Sequence, residues 1–315
     1  MSVNDETPSI LVVGSLNMDL VMNCSRVPEA GESLIGKDFK YVPGGKGANQ
    51  AVAAARLGAE VTFAGKRGDD ANGEKLEKSL IDSGINTQYL KKDKESKTGL
   101  ASILVDKKGE NRILVFPGAN MEIDWEEIKP AFNKNYEAIM LQLEIPEAIN
   151  IKIYEKAKKE NIPVILDTGP AQSFPLSKIK GIKILSPNET EAYALTGIKI
   201  NSKKDAEKAA RGLTKKAQAE IVVIKMGARG SLLYKDNYSA FFPAFEVTPV
   251  DTTAAGDAFT AALGTHFIKS GDIEKSIKYA NAAGAYTVTG SGAQTSLPFP
   301  EDVNNILIIN ENIFL

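Results

Sequence analysis

A run of small residues ends in a carboxylate at positions 251–257 (DTTAAGD). It directly precedes residues 258–269, whose apolar pattern predicts a helix. Small residues let the backbone turn tightly, so the N–H groups of Ala254, Ala255 and Gly256 would be exposed at the helix start, where free amides and the helix dipole attract anions. Such a site would stabilise a phosphoryl group in transfer, and Asp257 could accept the proton of an attacking hydroxyl. An aspartate that only caps the helix is the alternative.

A glycine-rich run, residues 44–49 (GGKGAN), leads into a second helical pattern at residues 47–57. Glycines beside a helix start let the backbone approach a ligand closely. Lys46 and Asn49 add polar groups that suit hydroxyls. The run is not a Walker A loop, because Gly-Lys-Ser/Thr does not occur in the chain. A glycine turn without a ligand is the alternative.

Polar side chains also follow two apolar runs that predict buried strands. Asn17 and Asp19 come after residues 10–16, and Glu144 comes after residues 138–143. Two short polar side chains would suit neighbouring sugar hydroxyls, whereas a plain turn residue is the alternative for Asp19. A carboxylate after an apolar strand needs a partner or solvent, so Glu144 could equally form a salt bridge.

Two further motifs occur in the second half of the chain. Residues 188–191 (NETE) would form either an outer shell for Mg²⁺ or an ordinary acidic helix start. Residues 225–230 (KMGARG) would border a nucleotide or form only a hairpin. Each motif is weak alone, and their common position at strand ends is what favours a site.

Composition limits the chemistry that these residues perform. The net charge of -2, from 38 basic and 40 acidic residues, provides no field for nucleic acid or anionic lipid. One cysteine excludes an internal disulfide, and one histidine excludes a multi-histidine metal site. No secretion signal or long apolar run is recognisable, so we expect a cytoplasmic protein with no membrane partner. Acid–base chemistry therefore falls mainly to carboxylates.

Strand and helix patterns alternate along most of the 315 residues, which predicts an α/β protein with a mainly parallel central sheet flanked by helices, a Rossmann-type core. Ligands bind beyond the carboxyl ends of the strands in such sheets. The early strands and a hairpin predicted at residues 98–116 do not follow this alternation. We expect one domain, residues 1–315, whose lid strands lie within residues 16–45 and 98–117.

Residues 44–49 and 251–257 together resemble the two signatures of the ribokinase-like (pfkB) carbohydrate kinase family, and the resemblance extends from about residue 10 to residue 298. It implies an α/β core with a β-sheet lid that also joins two subunits into a homodimer. It further implies ATP-dependent phosphorylation of D-ribose at O5, with Mg²⁺ and an activating K⁺. The polar side chains of Asn17, Asp19 and Asn49 favour ribose.

The resemblance also implies roles for individual residues. Asp257 would be the base, and the amides of Ala254, Ala255 and Gly256 would form the anion hole. The sugar would contact Asn17, Met18, Asp19, Gly45, Lys46, Gly47, Ala48, Asn49, Glu144 and Asp257. The nucleotide would contact Asn188, Lys225, Met226, Gly227, Ala228, Arg229, Gly230, Gly256, Asp257 and Asn281. Mg²⁺ would be held indirectly by Asn188 and Glu191, and K⁺ by Asp251, Thr253, Thr287, Gly290, Gly292 and Ser296.

Two positions depart from the family pattern, and other functions stay open. Ala254 stands where many members carry glycine, which costs little if the backbone φ is negative. Lys225 stands where an uncharged residue is frequent. A kinase for deoxyribose, fructose or adenosine is the main alternative, followed by a non-catalytic sugar-binding regulator. A nucleotide-binding module without a sugar site would not explain the polar residues Asn17, Asp19 and Glu144.

Overall fold

The computed structural model describes residues 7–311 of the chain. In that range the strands are β1 (Ser9–Val13), β2 (Asn17–Asn23), β3 (Asp38–Gly44), β4 (Glu60–Gly68), β5 (Asn86–Asp93), β6 (Gly99–Val105), β7 (Asn111–Phe116), β8 (Ala138–Leu141), β9 (Val164–Leu166), β10 (Ile184–Leu185), β11 (Ile221–Lys225), β12 (Ser231–Lys235) and β13 (Tyr238–Phe242). The α-helices are α1 (Lys46–Arg56), α2 (Ala71–Asp82), α3 (Trp125–Ile128), α4 (Glu147–Lys159), α5 (Glu189–Thr196), α6 (Lys203–Ala217), α7 (Ala255–Ser270), α8 (Ile273–Thr287) and α9 (Pro300–Glu311).

The large sheet has the strand order β13-β12-β11-β10-β9-β8-β1-β4-β5. All neighbouring strands in it are parallel except for the antiparallel pairs β11–β12 and β12–β13 at one edge. This confirms the predicted α/β class with a mainly parallel sheet.

Strand β1 shows why the sheet is covered on both faces. Ile10 and Val12 pack in the core shared with α1, α7 and α8, whereas Leu11 and Val13 pack in the core shared with α4 and α6. Successive side chains of a strand point to opposite faces, so a continuous apolar run requires apolar partners on both sides. All four side chains are fully buried.

A second, small sheet has the order β3-β2-β6-β7. Its central pair, β2 and β6, is parallel, and the two outer pairs are antiparallel. The β6–β7 pair is the hairpin that the turn residues near Asp106 predicted. The four strands lie within residues 16–45 and 98–117.

Several element boundaries differ from the prediction. The strand predicted at residues 10–16 ends at Val13, because the chain leaves the large sheet at Gly14 and Ser15. Asn17 and Asp19 therefore lie inside β2 rather than in a loop after a strand. Helix α7 begins at Ala255, so Asp257 lies in its first turn. The lid strands predicted within residues 16–45 had no individual bounds, and they are β2 and β3. The prediction missed β5, β13, α3 and α9.

Within residues 7–311, no helix combines the length and the apolar character needed to cross a bilayer.

Candidate active site

Asp257, in the first turn of α7, meets the start of α1. Its Oδ2 accepts a hydrogen bond from Asn49 Nδ2 at 2.9 Å, and its Oδ1 accepts one from Gln50 Nε2 at 3.3 Å. The ammonium of Lys46 lies 4.0 Å from Oδ1. The two runs that the sequence singled out separately, residues 44–49 and 251–257, thus form one site.

The start of α1 reaches this position by a close backbone approach. A Cβ at position 47 would lie 2.6 Å from the amide nitrogen of Ser15, so only glycine fits there. Ala48 donates its N–H to Ser15 O, and its side chain packs in the core. Met18 is likewise buried in that core. Met18 and Ala48, both predicted sugar contacts, can therefore reach a ligand only through the backbone.

The environment of Asp257 suits a base. Burial raises the pKa of its carboxyl above the ordinary value; the ammonium of Lys46 opposes this rise, and the neighbouring Asp167 carboxylate adds to it. Partial burial alone would lower the pKa of Lys46, but the carboxylates of Asp167, Asp257 and Glu191 raise it well above its usual range. Lys46 therefore stays charged beside the base.

Asn17 and Asp19 line the other side of this region, at the start of β2. Asn17 Oδ1 accepts a hydrogen bond from Asn120 Nδ2 at 2.7 Å, which fixes the side-chain amide. A Cβ at position 44 would lie 2.4 Å from an oxygen of Asp19, so glycine in the paired strand makes room for that carboxylate. Burial, with the charges of Glu144 and Asp257, raises the pKa of Asp19 to about 7.

Glu144 follows β8 by three residues and lies beside the glycine-rich turn. Its Oε2 accepts hydrogen bonds from the Ser15 hydroxyl and from the backbone N–H of Lys46 at 3.1 Å. The salt bridge considered as an alternative for Glu144 is not among the ion pairs of the described chain. The carboxylate instead holds the turn that carries Lys46.

The predicted anion hole has free amides, and its backbone is left-handed at Ala254. Ala254 has a φ of 61°, in the left-handed region, so the condition under which alanine would cost little there is not met. Ala255 N–H makes only a long contact of 3.4 Å with Thr252 O. The N–H groups of Gly256 and Asp257 have no hydrogen-bond acceptor among residues 7–311. These donors are therefore available to an anion at the positive end of α7.

Asn188 and Glu191 form a reciprocal cap at the start of α5. Asn188 Oδ1 accepts from Glu191 N–H at 2.9 Å, and Glu191 Oε2 accepts from Asn188 N–H at 2.8 Å. A Cβ at position 169 would lie 2.5 Å from Lys46 Nζ and 2.7 Å from Glu191 Oε1, so Gly169 lets these two side chains approach. Burial and the charge of Asp167 raise the pKa of Glu191.

Residues 225–230 join the antiparallel strands β11 and β12 and therefore form a hairpin. Gly230 has a φ of 104°, and a Cβ there would lie 2.1 Å from Phe242 O. Arg229 pairs with Glu189 and also donates to Asn201 O. Lys225 Nζ donates to the buried carboxylate of Asp167.

The remaining nucleotide positions of this hairpin and of α8 have different environments. Met226 is buried in the core, and Gly227 and Ala228 are exposed. Asn281 accepts from Ser231 Oγ at 3.1 Å and donates to Pro243 O at 3.2 Å. The side chain of Asn281 therefore links β12 to the segment after β13.

The residues matched to a monovalent cation lie on two loops that contact each other. Asp251 Oδ2 accepts from Gly292 N–H at 2.9 Å, and Asp251 Oδ1 accepts from Thr253 N–H at 3.0 Å. Ser296 Oγ donates to Gly292 O, and Thr287 Oγ1 donates to Ala283 O. Gly290 packs against Ser296. In residues 7–311 no group of three or more His, Cys, Asp or Glu side chains is arranged for a metal ion.

A buried polar network that the sequence did not predict lies behind the site. Asp167, directly after β9, accepts from Lys225, Thr260 and Gln50 and is fully buried. Gln50 in turn accepts from Gln142 at 2.7 Å. Asp167 sits at the carboxyl end of a strand, so the rule that selected Glu144 would also have found it.

Comparisons with known proteins agree on one family. A model described as pfkB family carbohydrate kinase matches residues 7–300. The chain is 38% identical over 305 residues to a deoxyribokinase of Salmonella typhi, covering 96% of this chain and 99% of that protein. It is 35% identical over 301 residues to a ribokinase of Haemophilus influenzae, covering 95% and 98%. The structure of Arabidopsis thaliana ribokinase complexed with ribose and ATP matches with a TM-score of 0.88 at 33% identity, covering 96% and 99%.

Proposed function

This chain belongs to the pfkB family of carbohydrate kinases, and we propose that it transfers the γ-phosphoryl group of ATP to the O5 hydroxyl of D-ribose. The observation that carries the proposal is the position of Asp257. Both of its carboxylate oxygens are fixed by amides of α1, and it lies in the same helical turn as the free N–H of Gly256.

In this proposal Asp257 accepts the proton of the sugar hydroxyl as its oxygen attacks phosphorus. A carboxyl whose pKa is raised by burial is a stronger base than an exposed one. The ammonium of Lys46 keeps the carboxylate ionised until the proton arrives. The N–H groups at the start of α7 stabilise charge on the transferring group, and most of the acceleration comes from positioning and charge.

Mg²⁺ fits beside Glu191. Its carboxylate is buried and already accepts two hydrogen bonds from Asn188, yet two oxygens offer about four acceptor positions. Mg²⁺ keeps several waters and needs few protein carboxylates. Glu191 and Asn188 would therefore hold waters of the ion, which supplies positive charge to the ATP phosphates.

K⁺ fits the two loops joined by Asp251 and Gly292. K⁺ is coordinated well by backbone carbonyl oxygens that replace its water. Val250 and Asp251 both donate their N–H groups to Val288 O, so the loops are held side by side. Backbone or side-chain oxygens of Asp251, Thr253, Thr287, Gly290, Gly292 and Ser296 would hold the ion. Its charge would support the turn that leads into α7.

Ribose is favoured by one orphaned acceptor. Asn49 Oδ1 is buried and accepts no hydrogen bond from the described residues. A sugar hydroxyl would satisfy it, and a site built for a hydroxyl discriminates against its absence by as much as ~10⁴-fold. The deoxyribokinase relative at 38% identity makes 2-deoxyribose the second candidate.

The test is ADP release from ATP and Mg²⁺ in K⁺ buffer with D-ribose, 2-deoxyribose, fructose, adenosine or no sugar. Strong turnover with ribose alone supports the proposal. Turnover with deoxyribose alone would reject the proposal that Asn49 selects ribose, and it would leave the proposed mechanism unchanged. A parallel series replaces K⁺ by tetramethylammonium, and an unchanged rate there rejects the K⁺ site.

The small sheet would act as the lid and the dimer contact. Strand β7 pairs only with β6 in the described chain, so its outer edge is open. Ile113, Leu114, Val115 and Phe116 on this strand are about half exposed. An open apolar edge readily accepts another strand or sheet. A second copy of this chain is the partner that we propose.

A further inference from the structure

A buried ion pair lies behind the proposed transfer site. Lys225 Nζ, at the end of β11, donates to Asp167 Oδ2 at 2.7 Å and to Thr260 Oγ1 at 3.2 Å. Asp167 is fully buried, and the Lys225 side chain is 10% exposed. Burial alone would raise the pKa of Asp167, but the charges of Lys225 and Lys46 hold it below its ordinary value. The Asp167 carboxylate is therefore charged.

The ammonium lies beside the positive end of α7. A Cβ at position 256 would lie 3.8 Å from Lys225 Nζ, and Thr260 is one turn further along the same helix. The start of a helix favours anions and disfavours cations. The Lys225 ammonium therefore adds positive charge at the start of α7, next to the free N–H of Gly256, where an anion would bind.

Stability does not explain the pair. Removing two charges from water costs several kcal/mol per ion, and apolar replacements of buried ion pairs are often neutral or stabilising. Asp167 also has other donors, because Gly169 N–H reaches its Oδ1 at 3.0 Å. Lys225 has three N–H groups, and two of them serve Asp167 and Thr260. The third is available to a ligand.

We propose that Lys225 contacts the terminal phosphoryl group of ATP and that Asp167 is the positioning residue that holds the lysine there. The inference rests on the proposed kinase reaction, and it adds to that reaction a protein cation at the group being transferred. Asp167 fixes the ammonium before ATP binds, so little side-chain freedom is lost on binding. Thr260 restricts the same ammonium from the helix side.

The experiment compares Lys225→Met, Asp167→Asn and the double variant D167N/K225M. The double variant avoids leaving a buried carboxylate without its cation, so it keeps the test valid even if Lys225→Met is too unstable to fold. Lys78→Met, which removes an exposed lysine paired with Asp82 on α2, is the matched control. Calorimetric titrations use the β,γ-methylene analogue of ATP, ADP and adenosine, each with Mg²⁺ and without sugar.

We expect the ATP analogue to bind ~10- to 100-fold more weakly to Lys225→Met and to the double variant, the usual loss for a charge-assisted hydrogen bond. Adenosine affinity should stay within about twofold, and ADP should change less than the ATP analogue, because the contact is to the terminal group. Asp167→Asn should give a smaller loss, since the cation remains and only its position is less defined.

Equal affinities of the ATP analogue for native protein, double variant and Lys78→Met would overturn the proposal and leave the pair as a structural element. A loss of adenosine affinity equal to that of the ATP analogue would also overturn the proposal, because it would indicate general damage to the nucleotide site. These titrations need no sugar. A failure to phosphorylate ribose would therefore reject the proposed substrate without affecting this result.

Discussion

The side-chain amide of Asn49 donates a hydrogen bond of 2.9 Å to the carboxylate of Asp257, across 208 positions of sequence. The bond joins the first turn of α1 to the first turn of α7, and these two helices pack in the same core on one face of the large sheet. It stabilises the ionised form of the base and fixes the direction of its lone pairs. The position and the basicity of Asp257 therefore depend on a residue of the other motif.

Replacing Asn49 by aspartate should move the acid limb of the pH–rate profile. A second carboxylate within hydrogen-bond distance disfavours ionisation of Asp257, so the limb should rise by ~1 to 2 pH units. Asn49→Ala removes the hydrogen-bond donor without adding a charge, so it should raise the pH of the acid limb less than Asn49→Asp does. The measurement is kcat/KM from pH 5 to 9 for the three proteins. Superimposable acid limbs would contradict the link between Asn49 and the base.

Asp257→Asn should remove the base while keeping the shape of the side chain. We expect kcat to fall by ~10²- to 10⁴-fold, the usual contribution of general-base catalysis. Sugar affinity, measured by calorimetry, should change only a few-fold. Asp82→Asn, the same change at an exposed ion pair, is the control. A kcat near that of native protein would exclude Asp257 as the base.

Asp19 should make the folded state sensitive to pH. Its pKa of about 7 is raised from 3.8, so folded protein keeps a proton that the unfolded chain releases between these values. Its contribution to the free energy of unfolding is therefore full below pH 4 and is lost as pH rises towards 7. Above pH 7, where Asp19 is ionised while buried, the free energy of unfolding would be lower by about 4 kcal/mol.

Asp19→Asn removes this cost, because an amide does not ionise. The variant should be more stable than native protein at pH 8, and the difference should shrink steadily as pH approaches 4. Urea denaturation at pH 4.5, 6 and 8 measures it. A difference independent of pH would show that Asp19 is not protonated in the folded state. The same variant should bind sugar more weakly, because Asp19 is a proposed contact.

Apolar runs and glycine positions in the sequence predicted much of the fold, because these features act on neighbouring residues of the chain. The apolar run of β1 has to be buried on both faces, and the glycines at 44, 45 and 47 permit a close approach that other residues forbid. Gln50 and Asp167 were missed because their roles come from partners 117 and 58 residues away. The bounds of β3 were not predicted, because its first four residues are exposed and polar residues alternate with aromatic ones.

The left-handed backbone at Ala254 was not predicted from the sequence, and a substitution tests it. An L-residue at φ 61° is strained by ~1 to 2 kcal/mol, whereas glycine is not. Ala254→Gly should therefore increase the free energy of unfolding by about 0.5 to 1 kcal/mol after the entropy of glycine is subtracted. Ala255→Gly, one position into α7, should decrease it by a similar amount. A decrease for both variants would contradict the left-handed conformation.

The open edge of the small sheet should determine the oligomeric state. Native protein is expected to have twice the chain mass by light scattering at micromolar concentration, because β7 and the neighbouring apolar side chains need a cover. Leu114→Glu places a charge in the middle of that strand and should give a monomer. Tyr193→Glu changes an equally exposed side chain on α5 and should leave the dimer intact. A native monomer, or a dimer that persists in Leu114→Glu, would mean that a second copy does not cover this edge.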